Sequence, residues 1–562
     1  EEEKELNKEE QFKQELKNLV DITHKALRYY GNETLNDIIK TFALCYIEDR
    51  ISDTGFFDLE NIKYYYGKVE GIDDEDDIET FNEMKKYLKI QYLIDNSPKL
   101  RINKGDDAIN IAGSLLSVHP VTKGVFRNKN FLICKNGKTI SKIFKLIKNN
   151  KIGLLDRTNL SDLVGYVYEH FINNYGGGGG KDMGQYFTER PLMRITFEMI
   201  DKEDIEFFNI NNDSTLGDEF CGTFGYPLHA KKYLKEKYDI EIKDKNIYGV
   251  EYNENTFQYA YLNAMFSMEN FENIKNGTSF ELNVNPHLDI SVHNVPFGSS
   301  MSYEDIKDSY NKKKNNNKDL DLPEIDDIIP HNTYKYDAVL ASQLALYKTT
   351  KMGICIIKNG AETNGVPLTN YRKYFCENCI IKKILKIPSG VFSNTDCETI
   401  AIYFIKKEGE QTKNIQFLET NANCSVIKEI CSLSIEEMAQ KNYSWRIGDY
   451  LINEEQEKLK NNSKCNFIKI KQLATYLKIG NRNSIVDGLQ TGNYPLYHCS
   501  YINHIYMKDW DEKKDFEGFA LVINAINGSG KSNIYLTKGK YGVGSSVFHF
   551  KGETDLITKY IY

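Results

Sequence analysis

The chain has 562 residues, 41% of them hydrophobic and 27% charged, with a formal net charge of −8. That length exceeds one ordinary domain, and that composition excludes a disordered or fibrous class. No apolar run reaches the ~20 residues that span a bilayer, the opening Glu1-Glu2-Glu3-Lys4 is unlike a secretory signal, and eleven irregularly spaced cysteines fit reduced thiols in a cytoplasmic location rather than a disulfide framework.

Residues 1–18 alternate Glu and Lys around sparse Leu and Phe, the pattern of a solvated helix. Beyond them Leu16, Leu19, Val20, Leu35, Ile38, Ile39, Phe42, Ala43, Tyr46 and Ile47 recur at three- and four-residue steps, which predicts packed helices. With 52–165 read as mixed helix and loop, residues 1–165 form an expected helical N-terminal domain. The glycine run 176–180 reads as a flexible linker or mobile loop, since no strand–glycine–helix context surrounds it.

From 184 to 410 short β-branched runs alternate with helical patterns. Strands are expected at 214–218, 246–251, 288–293, 352–358, 380–387 and 399–406, and helices at 191–200, 226–237 and 255–270. This alternation predicts an α/β fold, Rossmann-like and doubly wound, with a mainly parallel sheet covered on both faces. The domain is placed at 166–442. Within it 304–327, carrying Lys312-Lys313-Lys314-Asn315-Asn316-Asn317, reads as a low-complexity mobile surface insertion.

After Tyr443 a helical stretch at 450–460 leads to short strands at 467–470, 494–499, 520–523, 532–535 and 547–550, an expected β-rich α/β C-terminal domain over 443–562. Residues 461–562 carry 13 Lys and Arg against 8 Asp and Glu, while the rest of the chain carries 59 against 72. A basic segment suits a module that reads nucleic acid; a surplus this small also fits ordinary scatter.

Three short segments carry chemistry. Asp218 closes a strand and Cys221-Gly222-Thr223-Phe224-Gly225 leads into a helix. In a doubly wound sheet this is the first βα turn, where small residues let the backbone approach a ligand and the helix N-terminus favours a carboxylate. Glu251 ends the next strand, where an acidic side chain accepts two ribose hydroxyls; alone, it would read as a solvated strand end. Asn294-Val295-Pro296-Phe297 follows a third strand. To methylate an exocyclic amine, an enzyme accepts the amine hydrogens and leaves the nitrogen lone pair facing the methyl donor. The Asn294 carbonyl beside a backbone carbonyl fixed by Pro296 suits that task, with Phe297 stacking on a flipped base. A structural turn is the plainer alternative for this tetrapeptide.

Two other patterns do not carry function. Gly528-Ser529-Gly530-Lys531-Ser532 suggests a nucleotide-binding loop, but Ala525 stands where its first glycine is required and a strand pattern follows. Cys376 and Cys379 have no second pair nearby, so buried or surface thiols are expected and no metal site.

In their order, and together with Gly184-Gln185-Tyr186-Phe187-Thr188, the three segments resemble the adenine-N6 DNA methyltransferases that form the modification subunits of type I restriction systems. The resemblance covers about 12–410 and includes Ile387-Pro388-Ser389-Gly390-Val391-Phe392 followed by Thr399-Ile400-Ala401-Ile402-Tyr403-Phe404. It implies S-adenosylmethionine as cofactor, held by Phe187, Thr188, Asp218, Cys221, Gly222, Thr223, Gly225 and Glu251, and a target adenine met by Asn294, Pro296 and Phe297. The C-terminal segment resembles a single target-recognition domain of type I specificity subunits. The likeness rests on Gly492-Asn493-Tyr494-Pro495-Leu496-Tyr497, Asp515-Phe516-Glu517-Gly518, Asn527-Gly528-Ser529-Gly530-Lys531 and Gly544-Ser545-Ser546-Val547-Phe548.

The resemblance thus implies a site-specific adenine-N6 methyltransferase fused to its own recognition domain. Its partner would be double-stranded DNA, and it would act as a homodimer or beside a separate restriction subunit, without a membrane. The departures define the alternative. Glu219 and Glu189 replace prolines, and Val295 replaces the first proline of the tetrapeptide, as the aliphatic does in the Asn-Leu/Ile-Pro-Tyr of rRNA adenine dimethyltransferases. Phe224 replaces a glycine of the cofactor turn. Its side chain points away from the ligand or fills its site, and a positive φ there would cost about 1–3 kcal/mol. If it fills the site, the chain is a catalytically degenerate DNA-binding scaffold.

Overall fold

The computed structural model describes residues 2–27, 34–50, 85–96, 136–149, 188–280, 287–296, 302–316, 322–330, 337–358, 366–392, 398–450, 474–479, 491–497, 505–513, 515–524, 534–544 and 547–552, with residues 112–113, 116–117, 122, 125–126, 162, 165–167, 170–171 and 554–555 between and after them. The chain divides into two compact units, Glu1–Asp449 and Tyr450–Tyr562. Phe187, Phe297, the glycine run at 176–180, the helix expected at 450–460, the strand at 467–470 and the glycine turn at 528–532 lie outside the described residues. Among the described residues no helix is long and apolar enough to cross a membrane.

The first unit opens with helices α1 (Glu2–Leu27) and α2 (Thr34–Arg50), followed by α3 (Ile90–Asn96) and α4 (Gly137–Asn149). Every apolar residue from Leu16 to Ile47 in the three- and four-residue pattern is buried. In α4 the stripe Ile140, Ile143, Phe144 and Ile147 faces inward, as one face of a 3.6-residue helix requires. Ser141 Oγ ties α4 to α3 by donating to the Ile94 carbonyl at 2.7 Å.

Next come α5 (Arg190–Phe197), α6 (Lys202–Phe207), β1 (Leu216–Asp218), α7 (Gly225–Tyr238), β2 (Ile247–Glu251), α8 (Glu254–Ser267), β3 (Ile274–Asn276) and β4 (Leu288–Asn294). After α9 (Tyr303–Asn316), α10 (Ile325–Ile328) and α11 (Asp337–Lys348) the chain forms β5 (Thr349–Lys358), α12 (Val366–Asn378), β6 (Ile380–Ile387), β7 (Thr399–Ile405), β8 (Asn414–Thr420), β9 (Ile427–Ser434) and α13 (Ile435–Gln440). The nine strands form one sheet in the order β3-β2-β1-β4-β5-β7-β6-β8-β9. β3, β2, β1, β4 and β5 are parallel. β7 runs antiparallel to both β5 and β6, and β9 antiparallel to β8. The sheet is mixed but mainly parallel: five of its eight strand pairings are parallel, β6–β8 among them, while β6–β7 and β8–β9 follow one another over short connections and pair antiparallel. β1 lies between β2 and β4, so the strand order reverses there. A doubly wound sheet opens its ligand crevice at the carboxyl ends of such a pair.

The segment expected as a mobile low-complexity insertion is instead structured over its described residues. Tyr303, Ile306 and Tyr310 of α9 pack with Ile325 and Ile328 of α10 and with Leu340 and Leu344 of α11 in one core cluster. The polar Lys and Asn residues occupy the other positions of α9 and hide this stripe in the sequence.

Among the described residues of the second unit, two four-stranded sheets are formed by β10 (Ala474–Ile479), β11 (Tyr494–Tyr497), β12 (Ile505–Met507), β13 (Phe516–Glu517), β14 (Ala520–Asn524), β15 (Ile534–Thr537), β16 (Lys540–Val543) and β17 (Val547–Gly552). Their orders are β10-β17-β14-β15 and β12-β11-β16-β13. Val522, Tyr541, Val543 and Val547 form its core. The Tyr541 hydroxyl meets His549 Nε2 at 2.8 Å, and the Phe516 ring stacks on the same imidazole at 4.1 Å. Burial there pushes His549 down to about 4.

Candidate active site

At the carboxyl end of β1 the chain leaves the sheet at Asp218. The carboxylate is buried, and its Oδ1 accepts from the Phe220 backbone N–H at 2.8 Å. Cys221 N–H then donates to the Val250 carbonyl of β2 at 2.9 Å, which folds the turn back over the sheet edge. Gly222 adopts φ +53 with nothing within 4 Å of where a Cβ would stand, and its N–H donates to Glu251 Oε2 at 3.1 Å. The other Glu251 oxygen accepts from Asn253 N–H at 2.7 Å. Two donors thus aim the half-buried Glu251 carboxylate from β2 across to the turn after β1. Burial pushes Glu251 up to about 7 despite these donors.

Phe224 ends the turn. It lies in the left-handed region at φ +67, and its N–H donates to the Cys221 carbonyl at 2.7 Å. This is the strained conformation foreseen for a bulky residue at a glycine position. The ring, however, has no exposure at all. It packs over Gly249 of β2, where an added Cβ would come within 2.8 Å of two ring atoms. The ring thus packs against the β2 backbone at Gly249.

Asn294 stands at the carboxyl end of β4. Its Nδ2 donates to Thr188 Oγ1 at 2.8 Å, bringing together two residues read in sequence as belonging to different parts of the site. Asn294 Oδ1 is buried and finds no hydrogen-bond partner among the described residues. An orphaned buried acceptor is costly and calls for a partner. Val295 is buried, and its N–H donates to the Ile356 carbonyl of β5 at 3.2 Å, anchoring the tetrapeptide to the sheet. Pro296 follows, half-buried.

The residue before Asn294 was not singled out in the sequence, yet it joins the two halves of the site. His293 is fully buried, and its Nδ1 lies 3.1 Å from Asp218 Oδ1 and accepts from Glu219 N–H at 3.2 Å. The Asp218 contact needs a proton on one of the two groups. Burial pushes the Asp218 carboxyl up, and the proximity of His293 opposes that rise. The signal was available as a titratable residue directly before the tetrapeptide, at the end of a strand. Cys376 and Cys379 are buried free thiols. Burial pushes Cys376 up to about 12, so it stays a thiol at neutral pH.

The model of the family described as N-6 DNA Methylase matches residues 159–481. The type I restriction enzyme MjaIX methylase subunit of Methanocaldococcus jannaschii is 24% identical over 263 residues, covering 46% of this chain and 44% of that protein. The MpnII methylase subunit of Mycoplasma pneumoniae is 24% identical over 319 residues, covering 53% and 55%. The chain spans about half the length of these relatives. A crystal structure of a type I restriction-modification methyltransferase subunit from Streptococcus thermophilus shares the fold, with a TM-score of 0.53 at 16% identity over 78% of this chain and 99% of that one.

Proposed function

The chain belongs to the N-6 DNA methylase family, a family of S-adenosylmethionine-dependent methyltransferases, and from that premise we propose that it transfers a methyl group from S-adenosylmethionine to the N6 amine of adenine in double-stranded DNA. The observation that carries this reading is the buried Oδ1 of Asn294 at the end of β4, which has no hydrogen-bond partner among the described residues. The cofactor fits the residues on this crevice's other side. Gly222 leaves open space above the turn, and Glu251 presents a carboxylate held by two backbone donors.

When bound, S-adenosylmethionine supplies a methyl carbon activated by its positive sulfur. The chain's residues do the rest. Glu251 accepts the two ribose hydroxyls, and the backbone of 221–225 passes close to the cofactor because Gly222 has no side chain. Asn294 Oδ1 accepts one N6 hydrogen and the backbone carbonyl beside Pro296 the other, which turns the nitrogen lone pair toward the methyl carbon. With the cofactor bound, methyl transfer would place positive charge on N6; Asn294 Oδ1 would stabilise that charge, and the surplus N6 proton would pass to solvent. Phe297 would stack on the flipped base. The packing of the Phe224 ring over Gly249 supports the catalytic reading over that of a degenerate scaffold.

The second unit, 450–562, would choose the DNA sequence as a fused target-recognition domain. Its resemblance to type I specificity segments and its local excess of basic residues support this. Cleavage would belong to a separate restriction subunit. The test is transfer of labelled methyl from S-adenosylmethionine into duplex DNA, with label recovered at adenine N6. Asn294→Ala should abolish transfer and leave DNA affinity intact. No label in any AT-containing duplex, together with no calorimetric heat from S-adenosylmethionine, would end this reading.

A further inference from the structure

A buried carboxylate outside the crevice touches the turn from behind. Asp162 is fully buried and sits at φ +68, a left-handed backbone rare outside glycine and commonest in Asn and Asp. Its Oδ2 accepts from Arg190 Nε at 3.1 Å at the start of α5 and meets His229 Nε2 of α7 at 3.2 Å. Its Oδ1 accepts from Asn263 Nδ2 of α8 at 2.8 Å, and the same Asn263 nitrogen donates to the Thr223 carbonyl at 3.0 Å. Around this carboxylate the chain is cut away. A Cβ on Gly165 would overlap Asp162 Oδ1, and a Cβ on Gly225 would stand 3.3 Å from both oxygens. Arg190 is itself stacked on the Tyr166 ring, its guanidinium carbon 3.2 Å from the ring centre.

We propose that Asp162 is a positioning residue for cofactor binding, holding the turn 221–225 in its bent form through Asn263 and Thr223 while fixing Arg190 two residues after Thr188. The inference rests on the reading that this turn holds S-adenosylmethionine. Its physical basis is that a buried charge is stable only when its donors are all in place. Burial would raise the Asp162 carboxyl, but Arg190, His229 and Asn263 outweigh it and hold it below the usual carboxylate range. The ionised group therefore demands that α5, α7 and α8 keep one mutual arrangement, and Thr223 lies inside that arrangement.

Asp162→Asn keeps the shape and tolerates the left-handed backbone, but turns an amide NH₂ or a weaker acceptor toward Arg190 and His229. Calorimetry with S-adenosylmethionine at pH 8 should give a dissociation constant raised roughly tenfold or more, since small displacements of positioned groups cost that much. At saturating cofactor kcat should stay within about threefold of the parent, and amide exchange at Gly222 and Thr223 should accelerate. Should the Asp162→Asn chain fail to fold, Asn263→Ala leaves the ion pairs intact, cuts the link to Thr223 and should raise the same constant. A folded variant of either kind that binds S-adenosylmethionine as tightly as the parent overturns the proposal while the cofactor site stands. A parent that binds none overturns the cofactor site, and the role of Asp162 with it.

Discussion

The side-chain amide of Asn294 donates to the hydroxyl of Thr188 at 2.8 Å, across 106 residues of sequence. In this arrangement Nδ2 is spent on Thr188, whose hydroxyl accepts, and Oδ1 is left as the amide's free acceptor among the described residues. Thr188→Val removes the hydroxyl and lets the amide rotate. The expected result is a kcat lower by about 10- to 100-fold, the size of losing one preorganised transition-state contact, with cofactor affinity within about twofold. Thr188→Ser should restore turnover. Steady-state and binding measurements on the three chains decide it, and a large change in cofactor affinity would return Thr188 to the cofactor wall.

Cofactor affinity should depend on pH through Glu251. Its folded pKa is raised by burial from 4.5 to about 7, and only the ionised carboxylate offers two acceptor oxygens to two ribose hydroxyls. Binding should therefore be strongest above pH 7 and weaken by about tenfold per unit below it, with a proton released on binding in that acid range. The same shift makes the cofactor-free fold bind this proton more tightly than the unfolded chain. Its contribution is thus lost as pH rises from 4.5 to 7. Titration calorimetry from pH 6 to 8 in buffers of different ionisation heat measures both effects. A flat affinity profile would remove Glu251 from the ribose.

Phe224 and Gly249 share one volume. Gly249→Ala drives a methyl into the ring and should cost about 1–3 kcal/mol as overpacking. Phe224→Gly relieves about 1–2 kcal/mol of left-handed strain but forfeits about 3–5 kcal/mol of buried aromatic packing, a net loss. Urea unfolding of the parent and the two variants gives both signs. A Phe224→Gly chain more stable than the parent would show that the ring is not packed as described.

Truncation to residues 1–449 should leave S-adenosylmethionine affinity within about twofold, because independent units add, and should abolish preference among DNA sites. Methylation mapped on a mixed-sequence duplex would show it. A truncated chain that still prefers one sequence would locate recognition elsewhere.

What the sequence made legible follows from distance along the chain. β1, β2 and β4 were readable because Asp218, Glu251 and Asn294 mark their ends within recognisable segments. β3, as short as β1, ends in Lys275-Asn276 and carries no such marker. β8 interleaves Asn414, Gln416 and Glu419 with its apolar residues, β9 sets Lys428 and Glu429 on opposite faces, and neither gave a signal. The stripe Tyr303, Ile306, Tyr310 was masked by the Lys and Asn run beside it. Asp162 was invisible because its partners lie 28, 67 and 101 residues away, and no local pattern records a bond of that kind. The volume exchange between Phe224 and Gly249 was hidden for the same reason.

Helix α8 spans the space between the acidic strand end and the N-terminal helices. Asn253, one residue from Tyr252 and two from Glu251, caps its first turn by accepting from Asn255 and Thr256. Near its far end the Met265 carbonyl accepts from the Tyr46 hydroxyl of α2 at 3.1 Å, and the Tyr46 and Phe266 rings meet edge to face. Fourteen residues of α-helix make a rod of about 20 Å. A single helix of that length thus ties α2 to the strand end that carries Glu251.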